Sequence, residues 1–283
     1  MTDGNSLLNL GDLSKPVNTF IEKVASAIGV LYEPLRIIRK AKAEAKAEEI
    51  LELNKLNIDD LKKRTINRLI NEEAIKQDNM EKIIEKTIPQ ITNNAKAEDI
   101  DNDWVVNFFE KSKLVSNEDM QILWSKILAG ETNNPGSFSR LTLKIISELE
   151  KKDADLFTSI CACTFVIGQP RIIIFFAKNK SIYEKNNIDF MNLNHLETMG
   201  LIKFDNLSGF KQLELPMRFN ISYFGFPINM QLKEGTNELN IGNVMLTQAG
   251  QQLISICGAM PNSILKDIAE ENWKKDGVII KYT

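Results

Sequence analysis

The sequence predicts a mainly α-helical protein with a C-terminal α+β part: a helical arm, a helix bundle, then antiparallel hairpins mixed with short helices. Three observations carry that expectation. Residues 39–92 are dominated by strong helix formers with opposite charges three and four apart. Residues 101–167 repeat an apolar face at helical spacing, helix after helix. Beyond residue 168 the apolar runs shorten and are punctuated by Gly, Pro and Asn, which reads as strands and turns.

The 283 residues, 43% of them hydrophobic, suffice for one large domain or two ordinary ones. Lys and Arg number 35 against 38 Asp and Glu, so no overall charge bias points to nucleic acid or an anionic membrane. The N-terminal "MTDGNSLLNLGDLSKP" lacks the basic and apolar regions of a secretory signal, and no run of about 18 uncharged apolar residues occurs. The expected compartment is the cytoplasm. Cys161, Cys163 and Cys257 are odd in number, and the one histidine, His195, does not complete a zinc set, so free, buried thiols are expected.

Four zones follow. Residues 1–38 contain the apolar segment 17–38, "VNTFIEKVASAIGVLYEPLRII", a helix or helix pair that Pro34 ends or kinks. It packs on the arm or on another copy, or else lies at the inner membrane face as a peripheral contact. Glu22 and Glu33 oppose anionic lipid and favour packing. Residues 39–100 form the charged arm, with Ile50, Leu53, Ile66, Leu69 and Ile70 as a buried stripe and Asn57 or Asp59 as a cap.

Residues 101–167 form the bundle. Ser116 is the expected N-cap of a helix whose face is Met120, Leu123, Trp124, Ile127 and Leu128, and Gly130 is its expected left-handed end. Leu141, Ile145, Ile146 and Leu149 mark the next helix. Leu156, Phe157, Ile160, Cys161, Thr164 and Phe165 mark a third, capped by Asp153. In residues 168–283, "GQPRIIIFFA" reads as a strand and "FMNLNHLETMG" as a helix. The runs "FKQLEL", "RFNISYF" and "INMQLK" read as hairpins, Thr247 as a helix cap and "GVIIKY" as a closing strand.

The segment "GETNNPGSFSR" between two bundle helices is rich in hydroxyls and amides, which raises the question of catalysis. A nucleophile needs a base beside it and a third group to orient the base. Ser137 and Ser139 have no such neighbours in sequence, so no catalytic residue is assigned. A joint needs only a turn at Pro135-Gly136, a cap from Ser137 or Ser139, and a carboxylate such as Glu131 or Asp103 to offset Arg140 in the first turn of the next helix. Trp104, Phe108, Phe109 and Trp124 are the expected core of the bundle. Residues 131–140 are its most distinctive surface.

Residues 103–157, "DWVVNFFEKSKLVSNEDMQILWSKILAGETNNPGSFSRLTLKIISELEKKDADLF", resemble the signature block of the bacterial domain-of-unknown-function family 2806, and "YEPLRIIRKAKAEAKAEE" is similar to what precedes it there. The block is more distantly similar to abortive-infection alpha proteins. That resemblance implies a bacterial, defence-associated, non-enzymatic protein, with no catalytic residues to carry over.

"NHLETMGLI", hairpins, and then "VMLTQAGQQL" resemble the end of a winged-helix module. DNA binding would need cations on the first helix, which instead offers Asn192, Asn194, His195 and Glu197. His195 reads as a surface residue near a helix end, and the acidic pairs Asp59-Asp60, Glu72-Glu73 and Asp101 with Asp103 as solvated faces. No metal or cofactor is expected. The leading expectation is an interaction protein of antiphage defence, acting through homo-oligomerisation or a protein partner. A winged nucleic-acid regulator and a membrane-active effector using residues 17–38 are the alternatives.

Overall fold

The computed structural model describes residues 14–28, 60–168 and 171–282. The chain divides into two compact units, residues 1–143 and 144–283, and the division falls inside the helix Arg140–Ser147. The expectations for Pro34, Ile50, Leu53, Asn57 and Asp59 lie outside the described residues.

The first unit contains α1 (Lys15–Ile28), α2 (Asp60–Thr87), α3 (Asn102–Ser112), α4 (Glu118–Asn133) and the start of α5 (Arg140–Ser147). Single 3-10 turns at Ile88–Gln90 and Ala97–Asp99 lead from α2 to α3. Asp101 caps α3 by accepting the Trp104 N–H at 2.7 Å. The cap of α4 is Asn117, one residue beyond Ser116: its backbone is extended and its side-chain oxygen accepts the Met120 N–H at 3.1 Å.

The core of this unit is aromatic. Phe108 stacks on Trp104 at 5.3 Å between centroids and meets Phe109 and Trp124 edge-on, each at 5.1 Å. All four are buried, and each such side chain contributes on the order of 1.5–3 kcal/mol through burial. The apolar face of α1, Val17, Phe20 and Val24, is buried as α1 packs on α3 and the turn before it. Lys23 Nζ fixes that helix by donating to Ile100 O at 3.0 Å and Asn102 Oδ1 at 3.2 Å.

Two expectations need correction here. Gly130 does not end α4, which continues to Asn133 with Asn134 as its C-cap. A Cβ at Gly130 would meet Phe138 Cε2 at 2.7 Å, so this glycine is there for close approach, and the left-handed glycine is Gly136, with φ +88°. The arm's stripe is also not buried throughout: only the C-terminal half of α2 has buried apolar residues, Ile83 and Ile84, while Leu69 is 47% exposed.

The second unit begins with the end of α5, and its first complete helix is α6 (Lys151–Cys161), which the sequence groups with the bundle. Glu150 is its N-cap and Asp153 closes a capping box by accepting the Glu150 N–H at 2.9 Å, so Asp153 sits at the third helical position. Thr164 and Phe165 do not extend α6 but open β1 (Thr164–Ile167). The β-branched residues there favour a strand, with Phe165 and Ile167 in the core and Thr164 and Val166 on the other face.

The remaining elements are β2 (Arg171–Ile173), α7 (Lys180–Glu184), α8 (Phe190–Thr198), β3 (Ile202–Phe204), β4 (Phe210–Gln212), β5 (Arg218–Tyr223), β6 (Phe226–Gln231), β7 (Leu239–Gly242), β8 (Val244–Leu246), α9 (Gln248–Leu253), α10 (Ser263–Lys275) and β9 (Ile279–Tyr282). One antiparallel sheet runs β2-β1-β5-β6-β9, and β3-β8 and β4-β7 form two small antiparallel pairs. Of the runs "FKQLEL", "RFNISYF" and "INMQLK", the last two make a hairpin, β5 with β6; β4 pairs instead with β7, so "FKQLEL" is part of a longer excursion. Trp273 of α10 packs on the inner sheet face, edge-on to Phe165 at 5.1 Å, and its indole N–H donates to Asn240 O at 2.7 Å.

Candidate functional site

The loop 131–140 is built around Glu131, which is 3% exposed at the end of α4. Its two oxygens accept the Gly136 N–H at 2.7 Å and the Phe138 N–H at 2.9 Å. Burial pushes its carboxyl above the ordinary range, while the N–H groups of Gly136, Phe138 and Ser137 pull the other way. Glu131 is thus a clasp that closes its own loop, and it is not the partner of Arg140.

Arg140 reaches Asp101 at 3.2 Å and Asp103 at 3.5 Å, all three side chains being more than half exposed. The hydroxyls are occupied locally. Ser137 Oγ donates to Asn134 O at 2.5 Å, and Ser139 Oγ lies 3.0 Å from Thr142 Oγ1. Pro135 and Gly136 make the turn, and Trp104 Nε1 anchors the loop by donating to Phe138 O at 2.7 Å. The loop's chemistry is spent on its own shape.

In the second unit, His195 Nε2 lies 2.8 Å from Asp153 Oδ1, a pairing with no sequence signal because 42 residues separate the two. Among the described residues no hydroxyl or thiol is hydrogen-bonded to the imidazole, and the pair joins α8 to the first turn of α6. Burial pushes the thiols of Cys161 and Cys163 far above their ordinary range, which suppresses the thiolate and leaves them as packing groups. Among the described residues no three His, Cys, Asp or Glu side chains gather as metal ligands, and no helix is long and apolar enough to cross a membrane.

Two exposed surfaces stand out. The face of α2 that packs on α4 continues toward the N-terminus as Leu61, Ile66 and Leu69, five turns ahead of Asn79, Ile84 and Thr87 at about 3.6 residues per turn. Leu61 is 61% exposed, and Ile75, about four turns further along the helix, is 59% exposed. Lys62, Lys63 and Arg64 begin that stretch, and Glu72, Glu73 and Asp78 end it. In the second unit α8 carries no Lys or Arg and presents Phe190 and Met191, 55% and 73% exposed.

The site residues suggested by sequence therefore describe a structural joint, a self-closing turn between two helices, with no catalytic group assembled within the loop. The chain belongs to the family described as a protein of unknown function (DUF2806), whose model matches residues 63–267. No curated protein and no solved structure matches the chain.

Proposed function

We propose that this chain is a non-enzymatic interaction protein of bacterial antiphage defence, of the abortive-infection kind, and that it works by pairing with a second copy of itself along α2. The observation that carries this reading is the exposed first half of α2. Its apolar stripe continues a packing face, and its flanking charges are mixed in sign and already paired within the helix, Arg68 with Glu72, Lys76 with Glu73 and Lys82 with Asp78, so the apolar side chains are left to drive the contact. An antiparallel second copy covers Ile66, Leu69 and Ile70 with the same residues of its partner, the self-complementary contact that a two-fold pair requires.

The order of the second unit also supports a protein-binding role over DNA reading. We read α7, α8, β3, β8 and α9 as a winged-helix frame with β4 to β7 as an enlarged wing. Thr247 Oγ1 ties α9 back by donating to Gly200 O at 2.6 Å, and Gly250 allows α9 to approach Leu201 O, where a Cβ would stand 2.2 Å away. A helix in the position of α8 that reads DNA needs cations, and α8 offers apolar side chains instead.

Light scattering tests the pairing: the expected mass is twice the 32.1 kDa of the chain, falling to one chain for Leu69→Glu. A single-chain mass at every concentration, unchanged by that substitution, removes this reading. Plating of phage on bacteria expressing the chain tests the defence role. Reduced plating is expected, with Leu69→Glu restoring it, and equal plating on both strains counts against the role.

A further inference from the structure

We propose that the second unit holds a binding pocket for a small organic anion with an apolar body, seated on the outer face of β1 and β2 with Arg171 as its anion-binding group. This inference is independent of self-association through α2. The cavity measures about 310 Å3, at the small end of ligand sites. Thr164, Val166 and Arg171 form its floor, Phe224 and Gly225 one wall, and Ile254, Ser255 and Ala259 another.

Strand pairing explains why these groups converge. Val166 lies directly opposite Arg171 in the β1–β2 ladder, and Thr164 is two residues before Val166, so all three side chains stand on the face away from Phe165 and Ile167. The Arg171 backbone is pinned from both sides by Gln251, whose Oε1 accepts its N–H at 3.3 Å and whose Nε2 donates to its carbonyl at 2.5 Å. The guanidinium itself has no carboxylate within ion-pair distance among the described residues. A half-buried, unpaired guanidinium at a cavity edge is a preorganised fork for carboxylate or phosphate.

Two further observations point to a ligand. Thr164 is 8% exposed and its hydroxyl has no hydrogen-bond partner among the described residues, although buried hydroxyls are nearly always paired. Phe224 has φ +47° and Gly225 φ +86°, the two central positions of the tight turn between β5 and β6. Such a turn favours Asn-Gly, and a bulky aromatic residue held in the left-handed region marks a place where its side chain is needed. Here that ring packs edge-on against Tyr223 and walls the cavity, which suits an apolar or aromatic ligand body beside the anion.

The test is thermal unfolding and calorimetric titration of the full chain with 3-phenylpropionate and phenyl phosphate as probes, and 3-phenylpropanol and inorganic phosphate as controls. Saturable binding of at least one aromatic anion is expected, weakened about tenfold or more by Arg171→Gln. Which of the two anions binds tighter identifies carboxylate or phosphate as the preferred group. Should Arg171→Gln not fold, Ala259→Trp, which fills the cavity and leaves the arginine, must abolish binding. No saturable binding of either anion at millimolar concentration, equal binding of the alcohol, or binding unchanged in the folded variants overturns the proposal. None of these results depends on whether the chain is dimeric.

Discussion

Arg140 and Arg171 each sit near hydroxyls, one in the loop between α4 and α5 and the other in the ladder of β1 and β2, yet their surroundings differ in one respect. No buried side-chain polar atom of residues 131–140 lacks a partner, whereas Thr164 beside Arg171 has a hydroxyl with none among the described residues. The first loop is crowded with polar groups because it must fold back on itself, with Glu131 accepting its N–H groups and Trp104 donating to its carbonyl. The second place is sparsely polar and keeps its groups unspent. The difference teaches that density of hydroxyls and amides in a sequence is a poor guide to a site, because a tight turn consumes such groups as fast as chemistry does.

The largest effect that could break this contrast is at the anchor of the loop. Trp104→Ala empties a stacked aromatic position and orphans the Phe138 carbonyl, with an expected loss of about 3–5 kcal/mol in chemical denaturation. Next comes Glu131→Gln, which turns an amide NH2 toward a buried N–H, with a loss of about 1–3 kcal/mol.

The same variant carries a pH signature. Because burial raises the folded-state value of Glu131 above its ordinary 4.5, the folded form holds its proton longer than the unfolded form. Stability from this group is therefore full below 4.5 and declines as pH rises through the folded value. The decline seen in the parent protein is expected to flatten in Glu131→Gln, as read by urea denaturation across pH 4 to 7.

Gly130→Ala sharpens the packing side of the comparison. The gain of about 1 kcal/mol in helix propensity is outweighed by about 1–3 kcal/mol of overpacking against the Phe138 ring, a net loss measured by thermal unfolding. Arg140→Ala is expected to cost only about 0–1 kcal/mol, since its ion pairs are exposed to solvent. Smallest of all, Thr164→Val is expected to leave stability unchanged or slightly raised, because it deletes a hydroxyl that pairs with nothing among the described residues.

Periodicity made the helices readable. The spacing of Met120, Trp124, Ile127 and Leu128 places the buried face of α4, and Thr247 and Gly200 mark where α9 begins and α8 ends. What periodicity hides is a change of element inside one apolar run. Thr164 and Phe165 keep helical phase with Leu156 and Cys161, so the turn into β1 had no polar punctuation to announce it. Gly130 is a second case: a glycine near a helix end usually terminates it, and only the ring of Phe138, eight positions later, gives this one another reason to be small. Arg171 was illegible for a related cause. A lone arginine in "GQPRIIIFFA" becomes a candidate only when strand pairing sets it on one face with Thr164 and a hairpin brings Phe224 over both.

The two arginines can be compared in a single experiment, a calorimetric titration of 3-phenylpropionate and phenyl phosphate into the parent protein, Arg140→Ala and Arg171→Gln under one buffer. The expected result is that Arg140→Ala binds the preferred anion as the parent does, while Arg171→Gln, still folded, does not. Retention of binding by Arg171→Gln together with its loss in Arg140→Ala would reverse the roles assigned to the two arginines.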